Sequence, residues 1–92
     1  MAKAIVTSRV MPESPEIDLT KLEENCLNKI KEFCGEVETK VEIEPIAFGL
    51  KALKITFVMD ESLGSTEPLE NSISSLEEVS SFEIIDVRRA IG

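Results

Sequence analysis

The chain contains no histidine, no tryptophan and no tyrosine. Without imidazole there is no histidine metal ligand, no imidazole general base and no Ser-His or Cys-His nucleophilic pair. Phe33, Phe48, Phe57 and Phe82 are the only aromatic residues. The two cysteines, Cys26 and Cys34, fall within what reads as one helix. At about 1.5 Å rise per residue they stand roughly 12 Å apart, too far to bridge. Unpaired cysteines suit a reducing cytosol, and their spacing matches no zinc or redox motif. No apolar run approaches the eighteen or so residues that span a bilayer, and Met1 to Val6 lacks the apolar core of a signal peptide. A cytoplasmic location with no membrane partner is therefore expected. No glycine-rich phosphate cradle is present either.

Basic residues are the minority: ten Lys and Arg against eighteen Asp and Glu, for a net charge of −8. Nucleic-acid binding draws on Lys and Arg displacing counterions from phosphates. The balance argues against direct nucleic-acid contact and favours a partner protein with basic surface. Ninety-two residues suffice for one domain, spanning 1–92, with a core that needs no metal or disulfide. A hydrophobic share of 42% with 30% charged residues is that of a globular protein.

Ala4 to Met11 reads as a first strand, stopped by Met11-Pro12-Glu13-Ser14-Pro15. A helix begins at the N-cap residue Asp18, with Ile17 and Leu22 as a hydrophobic staple. Leu19, Leu22, Cys26, Ile30 and Phe33 form its apolar stripe, with Leu27 beside them, and Gly35 closes it. The second strand alternates: Val37, Thr39, Val41 and Ile43 on one face, Glu36, Glu38, Lys40, Glu42 and Glu44 on the other. Side chains two apart on a strand project side by side, so the glutamate row is a solvated face rather than a cation site.

The third strand runs about Leu50 to Met59, with Leu53, Ile55, Phe57 and Met59 on one face. Asp60 to Ser65 reads as a loop whose adjacent acids have no partner acid for proton-transfer work. Ser65 or Thr66 caps a short helix with Pro68 in its first turn and Leu69, Ile73 and Leu76 on one side. A fourth strand covers about Ser80 to Arg88, followed by the tail Arg89-Ala90-Ile91-Gly92.

The order β-α-β-β-α-β with right-handed crossovers predicts an α+β, ferredoxin-like sandwich. Its four-stranded antiparallel sheet carries two helices on one face, with the first and third strands central. Many functions use this topology, so function must come from a site. An RNA-recognition module needs basic, glycine and paired aromatic residues on its third strand. Lys51-Ala52-Leu53-Lys54-Ile55-Thr56-Phe57-Val58 has one aromatic and no glycine. A copper chaperone needs a two-cysteine loop, which is absent. A small-molecule regulatory or oligomerisation module remains open, motivated by a partly apolar second sheet face at Ala4, Ala52 and Val58.

The segment Glu44-Pro45-Ile46-Ala47-Phe48-Gly49-Leu50 is the most unusual part of the chain. Where a polar turn is expected it carries Ile46 and Phe48, stiffened by Pro45 and freed at Gly49. Such a turn either plugs the domain's own core or anchors a partner. Arg88-Arg89 at the end of the last strand is either a solvated strand end or a basic tip for a partner.

Three segments carry a resemblance to a known family: Met11-Pro12-Glu13-Ser14-Pro15, Pro45-Ile46-Ala47-Phe48-Gly49-Leu50-Lys51-Ala52-Leu53 and Asp86-Val87-Arg88-Arg89. They resemble the archaeal elongation factor 1-beta family, which is similar to the C-terminal exchange domain of the eukaryotic factor. The resemblance implies a guanine-nucleotide-exchange factor that acts on the elongation factor 1-alpha GTPase without covalent chemistry, cofactor or metal of its own. A monomer is expected when the protein is free. In the eukaryotic relatives the aromatic turn and the chain end approach the GTPase near its magnesium and switch elements. The partner contacts it implies here are Ile46, Phe48, Gly49, Lys51, Arg88 and Arg89. The eukaryotic relatives end with a lysine near the magnesium, whereas this chain ends Arg88-Arg89-Ala90-Ile91-Gly92.

Overall fold

A computed structural model describes residues 3–90. The expected tail residues Ile91 and Gly92 lie outside the described residues. The elements are β1 (Lys3–Pro12), α1 (Leu19–Cys34), β2 (Thr39–Pro45), β3 (Lys51–Asp60), a 3-10 turn (Glu61–Leu63), α2 (Glu67–Ser74) and β4 (Val79–Ala90). The strands form one antiparallel sheet in the order β2-β3-β1-β4. β1 and β3 are central, as the split β-α-β arrangement requires. The helices touch each other, α1 packing against β3 and α2 against β4.

Alternation along the two central strands builds the core. Ala4, Val6, Ser8 and Val10 of β1 and Leu53, Ile55, Phe57 and Met59 of β3 are buried. They meet Leu22, Cys26 and Ile30 of α1 and Leu69 and Ile73 of α2. Burial of a side chain such as Phe57 contributes roughly 2–3 kcal/mol by removing apolar area from water. Ser8 is the one polar side chain in this layer among the described residues. Its hydroxyl donates to the Ile55 carbonyl oxygen at 2.9 Å.

Local signals explain the helix ends. Asp18 Oδ1 accepts from the backbone N–H groups of Thr20 at 2.9 Å and Lys21 at 3.3 Å. Gly35 closes α1 at φ 82°, a conformation that disfavours any side chain. At α2, Thr66 occupies the cap position without a side-chain cap bond, and Ser65 Oγ accepts from the Glu67 N–H at 3.0 Å instead.

Four features differ from the sequence reading. β2 begins at Thr39 rather than Glu36, because residues 36–38 are used in leaving Gly35, although Val37 still packs on the core. The segment Asp60–Ser65 is not simply a loop: Asp60 Oδ1 accepts from the Ser62 N–H at 2.9 Å and starts a 3-10 turn. β4 extends past both expected ends, and its register against β1 shifts between Thr7 and Ser8. That shift leaves Ile85 as an extra residue, so Ile84 and Val87 both pair with inward-facing β1 residues. Finally, Ala4 belongs to the helix-side core and not to the second sheet face. That face carries Ala52 and Val58 as expected, together with Ile5, Thr7, Arg9, Lys54, Thr56 and Ile85, and no helix covers it.

Candidate functional site

Pro45 is the last residue of β2 and pairs with Lys51, the first of β3. Between them the backbone closes with two bonds: the Ile46 N–H donates to the Leu50 carbonyl at 2.8 Å, and the Leu50 N–H to the Ala47 carbonyl at 3.1 Å. This closure places two successive residues in the left-handed region, Phe48 at φ 57° and Gly49 at φ 78°. A Cβ at Gly49 would meet nothing within 4 Å, so the demand for glycine there is purely conformational. Phe48 is the only non-glycine with positive φ among the described residues. A side chain in that region costs about 1–2 kcal/mol.

Phe48 does not plug the core. The residue is 96% exposed, the largest exposure of any large hydrophobic among the described residues. Ile46 beside it is 40% exposed. Strain and solvent exposure at one aromatic do nothing for the stability of the free protein. Lys51 is exposed and, with Gly49, borders a shallow groove against Pro12, Ser14, Pro15, Ile17 and Leu19. The β1–α1 connection thus lies alongside the aromatic turn.

The two arginines sit elsewhere. Arg88 pairs with Ile5 and Arg89 with Ala4, and these β1 residues pair in turn with Val58 and Met59 near the far end of β3. The turn and the arginines are therefore at opposite ends of a molecule whose longest extent is 42 Å. The register brings Ile46, Phe48, Gly49 and Lys51 together and leaves Arg88 and Arg89 apart from them.

The arginines also differ from each other. Arg88 lies on the open sheet face, where Nε donates to Asp86 Oδ2 at 2.9 Å. Its terminal nitrogens make no bond among the described residues. Arg89 points the other way and grips Glu61 with two bonds, Nε to Oε1 at 3.0 Å and Nη2 to Oε2 at 3.2 Å. These bonds to Glu61, then its charge, hold the Arg89 guanidinium protonated above its ordinary range. The backbone and side-chain bonds from Ser62 hold the Asp60 carboxyl below the usual carboxylate range, which keeps the 3-10 turn capped. Sequence reasoning missed Glu61 as the tether of Arg89. The available signal was Asp60-Glu61-Ser62, a capping sequence directly after an apolar strand.

Neither cysteine has the setting of a reactive thiol. Burial, and secondarily the charge of Glu78, pushes the Cys26 thiol up to about 12. Burial alone pushes Cys34 up to about 11. No cluster of three or more metal-ligating side chains occurs among the described residues. No helix among them is long and apolar enough to cross a membrane.

An α+β sandwich with an exposed, conformationally strained aromatic at one end and a basic strand end at the other has the surface features of a protein-contact module. Residues 5–90 match the family described as EF-1 guanine nucleotide exchange domain. The chain is 46% identical over 89 residues to elongation factor 1-beta of Methanosphaera stadtmanae, covering 97% of this chain and 98% of the relative. It is 44% identical over 89 residues to the protein of that name from Methanothermobacter thermautotrophicus, with the same coverage of both chains. The solved structure of the de novo designed protein Foldit4 shares the fold, with a TM-score of 0.63 at 21% identity over 98% of each chain. The chain belongs to the EF-1 guanine nucleotide exchange domain family, and its function is guanine-nucleotide exchange.

Proposed function

We propose that this protein, acting as one exchange domain over residues 1–92, releases GDP from the elongation factor 1-alpha GTPase so that GTP enters and aminoacyl-tRNA delivery resumes. The observation that carries this reading is the exposed, strained Phe48. Such a residue gains most when a partner takes it out of water. One buried aromatic anchor contributes about 2 kcal/mol or more to an interface. Ile46, Gly49 and Lys51 complete that contact. Arg88 forms a second, with Arg89 beside it.

Because the two contacts lie at opposite ends of the sheet, they engage separate parts of the GTPase. Phe48 anchors the complex at one end. Arg88, whose terminal guanidinium nitrogens make no bond among the described residues, reaches the phosphate and magnesium region from the other, in the place the eukaryotic relatives give to a lysine. A cation there opposes the magnesium ion by like-charge repulsion.

The thermodynamics are those of linkage. A factor that binds the nucleotide-free GTPase more tightly than the loaded form weakens nucleotide binding by the same factor. A thousandfold faster release needs only about 4 kcal/mol off the barrier. No covalent step is required. The protein works as a monomer in the cytoplasm, with no direct nucleic-acid contact.

The test is release of fluorescent GDP from purified elongation factor 1-alpha in excess unlabelled GTP, with substoichiometric amounts of this protein. Strong acceleration is expected. No acceleration with a folded cognate GTPase overturns the reading.

A further inference from the structure

The open face of the sheet carries an ionic contact that crosses a whole strand. Arg9 lies on β1 and pairs with Lys54 of β3 and Glu83 of β4. Its Nη2 nevertheless reaches Glu44 of β2 at 2.9 Å, while Nη1 stands 3.4 Å from Glu83. β1 and β2 are not neighbours, since β3 lies between them. Two strand spacings make a gap of about 9.6 Å, within reach of an arginine and a glutamate extended toward each other.

The β3 residue at the Glu44 end of this crossing is Ala52. It is the register partner of Glu44 and shares the open face with Lys54, Thr56 and Val58. It is nonetheless 0% exposed while remaining outside the helix-side core. The Arg9 side chain crosses from β1 to Glu44, the register partner of Ala52, and so passes beside this small residue. Arg9 Nε is buried and finds no hydrogen-bond partner among the described residues. Leaving that nitrogen unpaired costs free energy, which the contacts of the other two nitrogens offset.

Glu44 directly precedes Pro45 and the Phe48 turn. β2 is a seven-residue edge strand, and its last residue, a proline, cannot donate to the ladder. Such strand ends open locally at low cost. A strained φ such as that of Phe48 persists only where the surroundings over-determine it. The one ionic contact among the described residues that ties this strand end to another strand is Arg9–Glu44.

We propose that Arg9 is a positioning residue for exchange, bracing the base of the Phe48 turn through Glu44 along a path left open by Ala52. The proposal rests on Phe48 being the anchor. Lysine cannot replace Arg9, because a single ammonium offers no planar fork to hold two carboxylates on opposite sides.

Two readouts test the brace. The first is amide hydrogen exchange at Ile46 and Leu50, whose N–H groups close the turn. The second is the concentration of this protein that half-saturates GDP release. Arg9→Met and Glu44→Gln are each expected to speed exchange of both amides at least fivefold. They are also expected to raise the half-saturating concentration at least fivefold, with the maximal rate within twofold of wild type. Arg9→Lys restores little of either. Ala52→Leu, which touches no charge, has the same effect by blocking the path, and Ala52→Val serves if the leucine variant fails to fold.

In a Phe48→Ala background, Arg9→Met causes no further loss of exchange activity. Unchanged amide protection in a folded Arg9→Met protein overturns the proposal, as do independent, multiplying effects of Arg9→Met and Phe48→Ala. If Phe48→Ala alone leaves GDP release intact, the anchor reading falls. Amide protection then decides the brace: faster exchange in Arg9→Met supports it and unchanged protection overturns it.

Discussion

Phe48 and Arg88 stand at opposite ends of the same sheet. Arg88 is aligned through Ile5 with Val58 on β3, while the Phe48 turn feeds into Lys51 at the start of that strand. At about 3.3 Å per residue, the run from Lys51 to Val58 alone spans roughly 23 Å. A partner that touches both residues is at least that wide, so each end can be disabled separately.

At Phe48, stability and activity are expected to separate. Phe48→Ala removes an exposed side chain, so the folding free energy stays within about 0.5 kcal/mol while GDP release slows at least tenfold. Phe48→Gly relieves the left-handed strain and stabilises the fold by about 1 kcal/mol, with the same loss of exchange. Urea denaturation set beside nucleotide-release kinetics checks both, and wild-type exchange in either folded variant excludes Phe48 as the anchor.

The paired arginines are expected to separate. Arg88→Ala is expected to slow exchange about tenfold if its terminal nitrogens, which make no bond among the described residues, are the groups offered to the partner. Arg89→Ala has a smaller effect, and Glu61→Gln reproduces it, since Arg89 is already held by that carboxylate. GDP-release rates for the three variants decide the matter. A larger loss for Arg89 than for Arg88 would reverse the assignment.

The thiols set an alkaline limit. The Cys26 thiol rises from an ordinary 9.0 to about 12, so the folded state keeps it neutral where the unfolded chain ionises. Its stabilising effect is complete below pH 9, declines as pH rises and is lost by about pH 12. Cys34 behaves alike up to about 11. Melting temperature should therefore fall above pH 9, and less steeply in Cys26→Ala at equal starting stability. At neutral pH a thiol reagent should label Cys34 slowly and Cys26 only on unfolding.

Asp18→Ala provides the control for stability alone. Loss of the two bonds to the Thr20 and Lys21 amides costs about 1 kcal/mol. Exchange at a temperature where the variant remains folded should be unchanged, as measured by the same GDP-release assay.

Periodicity and capping were legible in the chain itself because they are local. Alternation on the strands, the Leu22-Cys26-Ile30 stripe, Asp18 and Gly35 were enough to order the elements and to orient β3 toward the helices, whereas Ala4 of β1 was read onto the wrong face. The Pro45–Leu50 segment was recognisable as unusual for the same reason, since proline, glycine and an aromatic in a turn conflict with ordinary turn chemistry. The adjacent Ile84 and Ile85 hint at the β4 irregularity, but their bulge exists only relative to β1.

Four further facts required the tertiary structure, because each depends on residues far apart in the chain meeting across strands. Whether Phe48 faces solvent or core follows from how β2 and β3 meet. The separation of Phe48 from Arg88, and the gripping of Arg89 by Glu61, follow from the β1–β4 register. The reach of Arg9 over Ala52 to Glu44 follows from strand order, which places β3 between two strands that no local pattern relates. Sequence spacing governs which side chains share a face. Only the packed sheet determines which of those faces, and which of its ends, are brought together.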